Sequence, residues 1–80
     1  MNALVNTNEL KAERIRQGKD AKYMDRVINK GNGLYGKKER GAVVLFPDEM
    51  LAITIDLALS AEKFNLIFFD NKLPFSKSQE

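Results

Sequence analysis

Met24, Val27 and Ile28 stand at i, i+3 and i+4, and Phe64, Ile67 and Phe68 repeat that spacing. It places three apolar side chains on one face of a helix. Between these stripes, Met50, Ile53 and Leu57 form one apolar face, and Leu51, Ile55 and Ala58 form a second. A helix apolar on two sides is either central to a core or shared with a partner. Helix starts and stops frame the stripes. Thr7 or Asn8 can cap a first helix, with Glu9 in its first turn, Leu10, Glu13, Arg14 and Ile15 along it, and Gly18 as its stop. Asp20 can cap a second helix from Ala21 to about Asn29. Lys30-Gly31-Asn32-Gly33 is rich in turn residues. A short third segment, Leu34 to Arg40, carries Leu34 and Tyr35 inward and Lys37 and Lys38 outward, and Gly41 ends it.

Ala42-Val43-Val44-Leu45-Phe46 is apolar and β-branched, which in isolation reads as a strand. With no second strand nearby to pair with, an extended linker packed on the core fits better. Pro47 suits the first position of a fourth helix, and Asp48 and Glu49 suit its positive end. That helix runs to about Leu59, and Ser60 caps a fifth from Ala61 to about Phe69. Asp70-Asn71-Lys72-Leu73-Pro74 ends it. The pattern predicts an all-α, five-helix fold in a single domain spanning 1–80, with flexible ends at 1–7 and 75–80.

Eighty residues, 44% apolar, suffice for one modest core and leave no room for a second domain or an interdomain cleft. Cysteine and histidine are both absent. That removes disulfides, thiolate chemistry, nucleophile–histidine catalysis and the usual zinc ligands. No acid–base pair stands out, since Asp48 and Glu49 are explained by capping. A binding protein is expected, not an enzyme, with no cofactor, no metal and no small-molecule substrate. No apolar stretch reaches the roughly 18 residues of a membrane span. Met1-Asn2-Ala3-Leu4-Val5 lacks the basic segment and apolar run of a signal peptide. The expected location is therefore cytoplasmic.

The net charge of +2 conceals an asymmetry. Residues 1–41 hold ten Lys/Arg against five Asp/Glu, whereas 42–80 hold three against six. The basic half suits a polyanion, although a solvated surface has the same composition. It also contains two short helices joined by a tight turn, over residues 20–40. In major-groove reading, the second helix of such a unit enters the groove and the first braces it.

Three segments sharpen this. Arg14-Ile15-Arg16-Gln17-Gly18-Lys19, Tyr23-Met24 to Ile28, and Tyr35-Gly36-Lys37-Lys38-Glu39-Arg40-Gly41 resemble the Cro/CI-type (XRE) helix-turn-helix family. The spacing matches without a gap from Arg14 to Gly41. The later stretches from Pro47 to Ser60 and from Phe64 to Pro74 resemble a prophage-associated branch, so the likeness covers about residues 9–75. It implies a small repressor-like or Cro-like regulator of transcription that binds double-stranded DNA, in a bacterial or phage setting. It further implies an ion pair between Arg14 and Glu39, and base contacts from Asn32, Gly33 and Lys37. Lys19, Lys22, Lys30, Lys38 and Arg40 become phosphate candidates, because the ends of such helices lie along the backbone. Asn suits adenine and Lys suits guanine. The blander roles are a turn for Asn32 and solvation for the lysines. Tyr35 falls at a core position, and Tyr23 is expected either to pack or to donate to a phosphate.

The chain departs from the family pattern in places. Ala21 replaces the usual Gln, Asp25 stands where a small residue is usual, and Asn29 replaces the turn Gly. A carboxylate at Asp25 is costly if buried without partners, whereas Asn tolerates the left-handed conformation. Gly31, Gly33 and Gly36 fall in the expected reading helix, each costing about 0.5–1 kcal/mol relative to alanine. These departures leave open a degenerate helix-turn-helix that serves as a protein-interaction module. Leu51, Ile55 and Phe69 are the residues expected on its partner surface, or on the contact of a homodimer assembled on DNA.

Overall fold

The computed structural model describes residues 5–72. Five helices follow in order: α1, Thr7–Arg16; α2, Ala21–Val27; α3, Leu34–Glu39; α4, Pro47–Asp56; and α5, Ala61–Phe69. The predicted all-α architecture is the observed one, and among the described residues none lies in a β-strand. Residues 42–46 form the extended linker between α3 and α4, and Leu45 from that linker is buried. Of the flexible ends expected at 1–7 and 75–80, residues 1–4 and 75–80 lie outside the described residues, as do Leu73 and Pro74, whereas Asn6 and Thr7 are ordered as the cap and first residue of α1.

Most helix starts are built as local chemistry dictates. Asp20 Oδ1 accepts the Tyr23 N–H at 2.8 Å, and Ser60 Oγ accepts the Lys63 N–H at 3.1 Å. Pro47 opens α4, where its missing N–H costs nothing. Glu49 reaches back from that first turn to accept the Phe46 N–H at 2.9 Å. The first cap differs from expectation. Asn6, not Thr7 or Asn8, accepts the Glu9 N–H, so Thr7 is already helical. Asn6 also donates its backbone N–H to the Ile67 carbonyl at 2.6 Å, which ties the entry of α1 to α5.

Leu10, Met24, Ile28, Tyr35, Leu45, Ile53, Leu57, Ile67 and Phe68 form one core to which every helix contributes. α2 packs on α3 and α4, while α1 packs on α5 and α3. The loop between α1 and α2 fastens the end of α4. Gln17 Nε2 donates to the Leu57 carbonyl at 2.9 Å and Lys19 Nζ to the Asp56 carbonyl at 3.2 Å, satisfying acceptors that a helix end leaves open. Of α4's two apolar faces, Ile53 and Leu57 are buried, whereas Leu51 and Ile55 are 59% and 69% exposed. Phe69 is not part of that open surface. It is partly buried, packed on the core with its ring 5.5 Å from Phe64.

Candidate nucleic-acid interface

α3 is held in place by two sets of buried charges. The first is the pair expected between Arg14 and Glu39. Arg14 Nε donates to Glu39 Oε2 at 2.8 Å and Nη2 to Oε1 at 3.2 Å, a two-point contact. Arg14 Nη1 also donates to the Lys19 carbonyl at 2.9 Å. The Tyr35 hydroxyl donates to the same Glu39 oxygen at 3.0 Å. Burial, reinforced by Glu39, pushes the Tyr35 phenol far above its ordinary range, so it stays a donor. Tyr35 is a core residue, as expected, with none of its surface exposed.

The second set overturns an expectation. Lys38, a phosphate candidate placed outward, is only 2% exposed. Its ammonium donates to the Val44 carbonyl at 2.7 Å and to Glu49 Oε1 at 2.9 Å, and sits 4.7 Å from the centre of the Phe46 ring. A six-residue helix packed on both α1 and α2 leaves little circumference outside, so adjacent lysines part company: Lys37 is exposed and Lys38 is not. Burial pushes the Glu49 carboxyl up, but the Phe46 N–H and the Lys38 ammonium outweigh it and hold it below its ordinary value. Glu49 Oε2 makes no hydrogen bond and faces Lys30 Nζ at 3.5 Å. Lys30, a second phosphate candidate, is thus drawn toward the protein. So is Lys19, whose ammonium pairs with Asp56 Oδ2 at 2.9 Å. Asp56 takes the Tyr23 hydroxyl on its other oxygen at 2.8 Å, which settles Tyr23 as a packing and bracing residue.

The turn before α3 is the one its residues predicted, and it overturns the placement of Gly31 and Gly33 inside a reading helix. Asn29, Asn32 and Gly33 are left-handed, at φ 61°, 59° and 74°. Gly31, Asn32 and Gly33 therefore precede the helix, and only Gly36 lies inside it. Gly33 has no side chain with which to cap α3. Asp25 supplies the cap from α2: Oδ1 accepts the Tyr35 N–H at 2.8 Å and Oδ2 the Gly33 N–H at 3.2 Å. The carboxylate that looked costly at this position is fully partnered. It fixes both the register of the turn and the start of the helix.

What remains outside is a different population of charge. Lys11, Lys22, Arg26, Lys37 and Arg40 are all exposed, and among the described residues none is in an ion pair. All but Lys37 border two shallow grooves that meet at Ala21. One, of about 430 Å³, runs among Thr7, Asn8, Lys11, Ala21, Gly36 and Arg40, with the Arg14–Glu39 pair in its wall. The other, of about 520 Å³, runs among Ala21, Lys22, Asp25, Arg26, Lys30, Gly31, Asn32 and Gly33. Of the predicted site residues, the fold leaves Lys22, Asn32, Gly33, Lys37 and Arg40 in the open and withdraws Lys19, Lys30 and Lys38 into ion pairs. Lys11 and Arg26 were missed. Their signal was positive charge on helices whose apolar positions all lay elsewhere.

The surface is a cationic belt around the outer side of a short helix. A helix with side chains is about 10–12 Å across, close to the roughly 12 Å width of a DNA major groove. Gly33 and Gly36 keep the outer side of α3 thin. No family model matches the chain, and no curated protein or solved structure matches it either. No helix among the described residues is long and apolar enough to cross a membrane.

Proposed function

We propose that this chain is a small transcriptional regulator that binds double-stranded DNA sequence-specifically, a binding protein and not an enzyme. In this proposal it is Cro-like or repressor-like and acts in the bacterial cytoplasm, from a phage or prophage. α3 enters the major groove and the start of α2 braces it on the backbone. The observation that carries the reading is the sorting of charge: cations beneath α3 are consumed by Glu39 and Glu49, while Lys11, Lys22, Arg26, Lys37 and Arg40 stay unpaired around its outer side. Unpaired surface cations are what a phosphate backbone attracts. The family resemblance over residues 9–75 points the same way.

Titration of the full chain with duplex DNA across a salt series tests it. Each cation that meets a phosphate adds about −0.9 to the slope of log K against log salt, so binding is expected to weaken steeply with salt. Absence of binding at low salt overturns the reading.

A second reading, a protein-interaction module, is favoured by one observation: Leu51 and Ile55 stand exposed on α4. The readings separate by variant. Changing Leu51 and Ile55 to Ser leaves duplex affinity intact in the first and abolishes partner capture in the second.

A further inference from the structure

On top of the DNA-binding reading, we propose that Arg40 is the specificity-determining residue of α3 and that the base it selects is guanine. This assigns Arg40 a different role from a backbone contact, and moves base reading away from Asn32.

The argument starts at Gly36, the glycine inside α3. A Cβ built there meets the Arg40 Nη1 atom first, at 3.6 Å. The guanidinium of Arg40 therefore lies back along the helix, over the space that the glycine leaves vacant. Position i+4 puts it on the same side as Gly36. A residue at the C-cap thus presents its head over Gly36, back toward the middle of the helix. No hydrogen bond or ion pair engages that head among the described residues. The adjacent carboxylate, Glu39, is committed to Arg14 and Tyr35. The planar fork lies over the glycine with its N–H donors unengaged among the described residues.

Donors select the base. Guanine shows two acceptors in the major groove, N7 and O6, which a guanidinium meets at two points. Adenine pairs an acceptor with a donor, which suits an amide. The exposed polar side chains of α3 and its cap are Lys37 and Arg40, and both are donors only. Asn32, the residue suited to adenine, stands before the helix in a left-handed turn. Gly33 and Gly36 add no side chain that would hold the DNA away. The outer side of α3 is therefore matched to guanine.

Selection from a random duplex pool at physiological salt tests this, using the full-length protein and the variants Arg40→Ala, Gly36→Leu and Asn32→Ala. The wild type is expected to enrich a motif with a fixed guanine. Arg40→Ala relaxes that position by about ten- to a hundredfold and leaves the others. Gly36→Leu fills the seat, displaces the guanidinium and relaxes the same position, although Arg40 itself is still present. Asn32→Ala leaves the guanine fixed. Thermal melting of each variant shows that the fold is intact. A wild-type motif without guanine, or one that Arg40→Ala leaves unchanged, overturns the assignment and leaves DNA reading standing. Duplex binding with no enriched motif overturns sequence-specific reading itself, and the assignment with it.

Discussion

Tyr35, Lys38 and Glu39 look inward from α3, while Gly36, Lys37 and Arg40 look outward or lie along its rim. Inside, each charge has a defined partner: Lys38 with Glu49, Glu39 with Arg14 and Tyr35. Outside, Lys37 and Arg40 have none among the described residues. The two lysines differ by one position in sequence and by their entire role. A buried cation without its anion is costly, so the inner side can vary only in concert. An exposed cation contributes little to stability and is free to serve a ligand. The same composition therefore yields a rivet on one side and a binding surface on the other. A lysine count cannot distinguish the two.

The contrast is broken most forcefully at the Lys38–Glu49 pair. Lys38→Ala leaves Glu49 buried without its ammonium and is expected to cost about 3–5 kcal/mol, read from urea unfolding. The double change Lys38→Met with Glu49→Leu removes both charges and is expected to recover most of that loss. A double variant as unstable as the single one contradicts the account of this pair.

Asp25→Ala comes next. It strips the Gly33 and Tyr35 N–H groups of their acceptor and is expected to cost about 1–3 kcal/mol. Hydrogen exchange at the Tyr35 amide is expected to accelerate by more than global unfolding explains, because α3 loses its only side-chain cap among the described residues.

Acid acts more gradually on the same inner side. Glu49 is held below its ordinary value of 4.5: burial opposes this, but the Phe46 N–H and Lys38 prevail. Asp56 is held below 3.8 by Lys19 and Tyr23, again against burial. A depressed carboxyl contributes stability above its unfolded value and loses it as pH falls through the folded one. The urea midpoint is therefore expected to stay flat above pH 4.5 as far as these groups decide, and to fall on acidification below it. A midpoint that rises in acid contradicts the pairing.

The smallest effect on stability belongs outside. Lys22→Ala and Lys37→Ala are each expected to shift stability by no more than about 0.5 kcal/mol. Each is expected to reduce the salt slope of duplex binding by about 1 if its contact is to phosphate. Lys38→Ala, in folded protein, is expected to leave that slope unchanged, which sharpens the contrast between the neighbours.

Much of the scaffold was legible in the residues. Asp20, Pro47 and Ser60 mark helix starts by local rules, and the stripes through Ile53 and through Ile67 mark buried faces. The pairing of Arg14 with Glu39 came through the family resemblance and not through spacing alone. The fate of Lys38 was not legible, because a six-residue helix shows less than two turns of periodicity. Its anion lies in another helix, beyond the extended linker. The start of α3 at Leu34 was legible from the turn residues before it, but what fixes that start was not, for a related reason. Asn32 and Gly33 look like helix or turn equally, and what decides is the Asp25 carboxylate, donated from α2. In both cases the deciding partner is distant in sequence, and no local pattern encodes it.

The most direct measurement is a map of backbone amide shifts in labelled protein titrated with duplex DNA. The account predicts that shifts concentrate at Lys11, Lys22, Arg26, Asn32, Lys37 and Arg40, while Leu51 and Ile55 on the exposed apolar side of α4 stay silent. Shifts confined to the α4 surface, or none around α3, would contradict the claim that the unpaired charge outside α3 is a nucleic-acid interface.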